Sequence, residues 1–283
     1  MSMKFSQIAA EVYIPNDADV NDALRQTTDL CIGAHHDDVE IMAYGPIAQC
    51  YGNTERHFTG VIVTDGAGSP RSGIYANHSD EQMKHIRLTE QKTAAKIGRY
   101  SAQVMLSHPS SNVKNPANTD VANELKEILL KTQPDVVYTH NFADKHDTHV
   151  AVALHVVRIL REMPPEARPQ KVVALEVWRS LDWLCDDDKI IHDTAAFPNL
   201  ASTLVGVYDS QISGGKRYDN AALGRRLANA TFFASHNVDD YESCSFGMDI
   251  TELIHSDKCP IDFMNEYIMR FNSEVQQRIA KFL

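Results

Sequence analysis

LCIGAHHDDVE, residues 30–40, runs from an apolar segment straight into a dense polar cluster. Leu30, Cys31 and Ile32 read as a buried strand, and two imidazoles with three carboxylates then occupy five of the six positions His35–Glu40. Charge of this density behind a strand is costly to hold near an interior unless its members are paired or bind a cation. If the chain turns from strand into helix between Ala34 and Asp38, residues three apart fall on one side of the first turn. His35 and Asp38 then point at a common centre, while His36 and Asp37 diverge from it.

The same alternation of apolar run and amphipathic stretch continues along the chain. Segments 30–34, 58–64, 102–107, 135–140 and 172–178 read as buried strands, rich in Val, Ile, Leu and aromatics. Helical patterns lie between them at about 38–51, 80–97, 119–132 and 149–162; the second has Ser79 as N-cap and Gly98 as its stop. Alternation of this kind predicts an α/β fold, a mostly parallel sheet with helices on both faces. In such sheets ligands bind at the carboxyl ends of the strands. GAHHDD, TDGAGSPRSG and HNFADKHDTH, the three most polar loops, all follow strands and so fall at that edge.

The remainder is less regular. Stretches 197–211 and 219–236 look helical, 245–252 reads as a further strand, and 262–283 as an amphipathic C-terminal helix. Its stripe of Phe263, Tyr267, Ile268, Phe271, Val275 and Ile279 suits a core or a subunit interface, and the second alternative would make a homo-oligomer. With no repeat or long linker, residues 1–283 are expected to form one domain, with 1–28 as an N-terminal extension.

Composition narrows the function classes. A 43% hydrophobic, 23% charged chain of 283 residues can bury a core. A net charge of −11 argues against binding through nucleic-acid phosphates or an anionic membrane surface. No apolar run approaches the roughly 20 residues that span a bilayer. Five scattered cysteines with no CxxC pair, and no signal-peptide pattern at the start, lead to the expectation of a cytoplasmic protein.

The polar loops carry metal-site arithmetic. A catalytic Zn²⁺ takes three N/O ligands and keeps one position open. His35 and Asp38 supply two; His146 and His149, again three apart, begin the helix after the fourth strand. A His₂Asp set of His35, Asp38 and His149 would hold one zinc ion per chain. Asp37 is then placed to act as general base on the water at the metal, and His146 to stabilise an oxyanion or act as acid. Together they outline metal-assisted hydrolysis of an acyl bond. His36 is read as a rim residue and His140 as packing or support; Glu40 is read as a cap, an orienting group or a solvated carboxylate. Arg71, in the glycine-containing loop 68–75, is a candidate substrate-binding residue. Trp178 and Trp183 follow the fifth strand, where an aromatic can stack on a sugar.

AHHDDVE resembles the AHPDDxE motif of the PIG-L/LmbE-like zinc N-deacetylases, and HDTH resembles their later HPDH. TDGAGS is similar to the family's second loop, Arg87-x-x-Glu90 with Ala94 and Gly98 to its R-x-x-E helix, and YDSQ to its SQ segment. GRRLANATF is similar to the family's late helix, and the resemblance spans about Leu30 to Phe233. It implies a Rossmann-like domain and zinc-dependent removal of an N-acetyl group from an amino sugar or amino-sugar conjugate. Matched position by position, the metal ligands fall on His35, Asp38 and His149, the base on Asp37 and the oxyanion-stabilising histidine on His146. His36 stands where the family has proline, Thr148 where it has the aspartate that orients His146, and Asn229 where the late helix often has glutamate. Two rivals accompany this reading: a metal-dependent phosphoesterase, and an inactive sugar-binding member of the family. A Rossmann dehydrogenase is disfavoured, because no GxGxxG follows the first strand.

Overall fold

A computed structural model describes residues 3–283. Eight strands form one sheet: β1 (Glu11–Tyr13), β2 (Asp29–Gly33), β3 (Phe58–Thr64), β4 (Ala102–His108), β5 (Val136–His140), β6 (Lys171–Leu175), β7 (Lys189–Asp193) and β8 (Cys244–Asp249). Their spatial order is β1-β4-β3-β2-β5-β6-β8-β7. The five central strands, β4 to β6, are parallel, and every residue of β2 and β3 is buried. Burial on both faces is why these strands read as continuous apolar runs. Two core clusters flank the sheet, one around Leu30, Ile32, Val61 and Val104, the other around Cys31, Ile62, Met105 and Tyr138.

The chain moves outward from β2 through β3 to β4, then returns to lay β5 on the other side of β2. Strand order reverses there, so the loops after β2 and β5 leave the sheet side by side. This switch point is where a doubly wound sheet opens a crevice for a ligand.

Ser79 closes a capping box with Gln82 at the head of the helix Asp80–Ile97, and Gly98 ends it. Departures lie mostly outside the parallel core. The segment read as an N-terminal extension supplies β1, antiparallel to β4, and the helix Val20–Arg25. β7 lies where the sequence pattern marks no strand, because five residues behind the acidic run 186–188 give too short a pattern to register. It pairs antiparallel with β8, and β8 with β6. The expected helix over 38–51 breaks at Ala43 into Asp38–Met42 and Tyr44–Cys50, and the one over 197–211 into Pro198–Gly206 and Asp209–Ile212. The helix after β5 begins at Asp147, with His146 at its N-cap, which brings His149 into the first turn. No helix among the described residues is long and apolar enough to cross a membrane.

Candidate active site

Gly33 ends β2 where any Cβ would press on Asp38 and Val39 of the next helix, at 3.2 and 3.0 Å. Four residues on, Asp37 adopts a left-handed backbone with φ of 90°, a conformation that costs a non-glycine residue energy. That turn folds the chain back so that the His35 N–H donates to Asp38 Oδ2 at 2.7 Å. From across the switch point, His149 Nε2 reaches the same oxygen at 3.2 Å. His35 Nδ1 lies 3.2 Å from Asp38 Oδ2 and 3.0 Å from His149 Nε2.

These three atoms therefore form a nearly equilateral triangle. Tetrahedral coordination with bonds of about 2.0–2.1 Å puts ligand atoms roughly 3.3 Å apart, so the set fits a small divalent cation. Electrostatics agree. Burial alone would lower the His149 pKa, but Asp38 and then Asp144 overcome it and push it up to about 9. A position that holds a proton so firmly between two carboxylates also favours a cation. Asp38 itself, although burial raises it, is held well below the usual carboxylate range by His149 and His140.

Two overlapping groupings also cluster, His35 with His146 and His149, and Asp38 with His140 and His149. His140 Nε2, however, accepts the Ala34 N–H at 2.8 Å, which engages its lone pair. Its ring stacks on His149 with centroids 3.9 Å apart, so it holds the β2 turn and buttresses His149. Asp144 accepts the His146 and Trp178 N–H groups and lies 3.4 Å from His149 Nδ1. The acid lost at position 148 is thus answered at His149, not at His146. Among the described residues no hydrogen bond holds the His146 ring through its buried Nδ1; the ring packs edge-on against His35 and stacks on His149.

Asp37 and His146 both line a cavity of about 630 Å³ that opens over the triangle. Asp37 is buried and its Oδ2 has no hydrogen-bond partner. Burial and then Asp38 push its pKa up; the buried Arg87 guanidinium opposes them. Burial, with His35 and His149, holds His146 below the usual histidine value.

Other expected residues are placed differently. Arg71 does not line the cavity: its guanidinium donates to the carbonyls of His78 and Ala67 and to the Asp80 carboxylate, so it clamps its own loop. With both terminal nitrogens engaged by three nearby acceptors and its Nε buried, the fork has little left to offer a ligand. His36 is not a rim group. It is buried beside Gly66, where a Cβ would meet Arg87 and His36 at 2.7 and 3.0 Å. Glu40 is fully buried and accepts from Gln91, Tyr100 and Tyr208, at 3.0, 2.9 and 2.7 Å. Glu90 accepts both the N–H and the hydroxyl of Ser210, joining the R-x-x-E helix to the SQ segment. Gln211, next along, donates to the His36 carbonyl and lines the cavity. Trp178 lines it too, whereas Trp183 packs against the core. Lys114, Lys216, Tyr218 and Arg225 complete the wall; nothing in their local sequence marks them, because separate segments bring them together.

The fold and site define an α/β protein with a histidine–aspartate cluster at the switch point of a doubly wound sheet. Residues 30–160 match the family model described as PIG-L: GlcNAc-PI de-N-acetylase, a stretch that contains His35, Asp37, Asp38, His146 and His149. Residues 30–160 thus carry a PIG-L family domain, the family that the motifs of this stretch resemble. No curated protein matches it. Among solved structures, a conserved protein from Thermus thermophilus superposes with a TM-score of 0.62 at 16% identity, over 79% of this chain and 94% of that one. N,N′-diacetylchitobiose deacetylase from Pyrococcus horikoshii gives 0.62 at 17% identity, over 82% and 86%. A 4-carboxy-2-hydroxymuconate hydratase from Pseudomonas putida gives 0.58 at 15%, over 79% and 96%. One backbone thus carries more than one chemistry, and these likenesses speak for the fold alone.

Proposed function

We propose that this protein is a zinc-dependent N-deacetylase that removes the acetyl group from an N-acetylated amino sugar or a conjugate of one. The observation that carries the reading is the convergence of His35, Asp38 and His149 at 3.0–3.2 Å, with the Asp37 carboxylate beside them on the cavity wall. The de-N-acetylase description of the matching family supports it, as does a neighbour named for deacetylation of diacetylchitobiose.

His35, Asp38 and His149 would hold one zinc ion, which when bound lends Lewis acidity to the reacting carbonyl and to water. The chain's own groups move the protons. Asp37 takes a proton from the attacking water, on a carboxylate whose Oδ2 no protein donor occupies. Its raised pKa brings it nearer the working range of a general base. His146, held neutral by burial and its imidazole neighbours, donates an N–H to the oxyanion that develops on the acetyl oxygen. Asp37 then returns its proton to the amine nitrogen, the C–N bond breaks, and acetate and the free amine leave. Trp178 and Tyr218, with rings 6.0 Å apart, offer apolar faces for a sugar ring.

Acetate release from a panel of N-acetylglucosamine glycosides tests the proposal. Release is expected with zinc and is expected to stop with chelator. Phosphate release from an aryl phosphate, with two metal ions per chain, would instead favour the phosphoesterase.

A further inference from the structure

The walls of the cavity differ in charge from the rest of the molecule. The chain has 38 acidic and 27 basic side chains, yet the cavity's only acids are Asp37 and Asp38. Both are buried members of the cluster. The basic residues that line it are Lys114, Lys216 and Arg225. Lys114 and Lys216 are exposed and Arg225 is half-buried, which puts the cations towards the mouth and the carboxylates on the floor.

Of the lysines elsewhere, Lys84, Lys92, Lys189 and Lys258 each lie within 3.2 Å of a carboxylate, while Lys4, Lys96, Lys145 and Lys281 are scattered, with no ion pair within 4 Å among the described residues and no place on the cavity wall. Among the described residues, none of the three at the cavity has an ion pair within 4 Å. Neutral contacts position two of them. Lys216 Nζ sits 5.2 Å from the centre of the Trp178 ring, and Arg225 Nη1 donates to the Val177 carbonyl. Both contacts leave a positive charge at the mouth. Unneutralised cations that converge on one concave surface create a potential that selects anions.

We infer that the substrate carries an anionic substituent, a phosphate or a carboxylate, on the part that lies towards the mouth, where Lys114, Lys216 and Arg225 receive it. The inference rests on the deacetylase reading for the reaction and adds the class of substrate. A volume of about 630 Å³ lies well inside the range of about 300–1,000 Å³ for sites that enclose a drug-sized ligand, so a ring and a charged substituent fit together.

Three glycosides of N-acetylglucosamine form a matched series: the methyl glycoside, its carboxymethyl analogue and the 1-phosphate. Their kcat/KM for acetate release, and calorimetric binding of the corresponding free amines, are compared for the wild type and for Lys114→Gln/Lys216→Gln. Both lysines are exposed, so this variant keeps the fold. One of the charged compounds is expected to exceed the methyl glycoside by about tenfold or more, as expected for one or two charge-assisted contacts. The advantage should shrink to within about threefold in the variant and weaken with added salt. Whichever anion gains more identifies the substituent. Equal turnover of all three compounds in the wild type, or an advantage that survives in the variant, would overturn the inference and leave the deacetylase reading standing. Lysine-dependent binding of a charged amine without acetate release from any compound would uphold the subsite and reject the reaction. Neither release nor binding would reject both.

Discussion

Asp37 and His149 differ by what surrounds each side chain. His149 is fully buried, wedged between Asp38 and Asp144, with His140 stacked against its ring. Asp37 touches the same cluster but opens on the cavity with an unpaired oxygen. Substitution should therefore separate metal retention from turnover. Asp37→Asn is expected to keep close to one zinc per chain by elemental analysis and to lose about 10²–10⁴-fold in acetate release, the usual contribution of a general base. His149→Ala is expected to lose the metal together with the activity. Near-normal release from the Asp37 variant would remove Asp37 from the role of base. The substitution of Asp147 and Thr148 for the family's Pro-Asp follows the same logic: Asp144 serves His149, and His146 is left to be positioned by ring packing alone.

Strand β7 shows how an element built for packing brings its own pH dependence. His192 is buried on it, edge-on to Tyr138, and its Nε2 has no partner. Burial, and then the Lys171 charge, lowers its pKa from 6.5 to about 4. Because the folded value is depressed, the proton prefers the unfolded chain. The neutral-His contribution is complete above about pH 6.5, is lost as the pH falls towards 4, and stays constant below that. Integrated over that window, the loss is on the order of 3 kcal/mol. Denaturant midpoints measured from pH 7 to 4.5 should fall less steeply for His192→Leu than for the wild type. Parallel slopes would assign the acid sensitivity to other groups, such as Glu124, which burial raises but its contact with the His108 ring at 2.7 Å holds below the usual carboxylate range.

For the molecule as a whole, the C-terminal helix Pro260–Ala280 is the part least accounted for by its own fold. Phe263 and Met264 are buried against the body, but Ile268, Phe271, Val275 and Ile279 are 46%, 40%, 39% and 54% exposed along one stripe. Apolar spacing of three and four residues on an open helix suits a second helix of the same kind, the subunit-interface alternative of the two that the stripe allows. Sedimentation at tens of micromolar should show self-association, and Ile268→Glu/Phe271→Glu should give monomers that still release acetate. A monomeric wild type would refute the pairing.

The sequence by itself determined the strand–helix alternation, the parallel core and the clustering of His35, Asp37, Asp38, His146 and His149 on two loops. These are legible because hydrophobic period and three-residue spacing are local, and because the switch point of a parallel sheet follows from strand order. Tertiary structure alone decided what each side chain faces. It turned Arg71 back onto its own loop, sealed Glu40 among two tyrosines and a glutamine, and gave the lone pair of His140 to Ala34. It also gathered Lys114, Lys216 and Arg225 from two regions about a hundred residues apart onto one cavity. No local pattern encodes such meetings, since they depend on how whole elements pack, and the choice of substrate is written at that level.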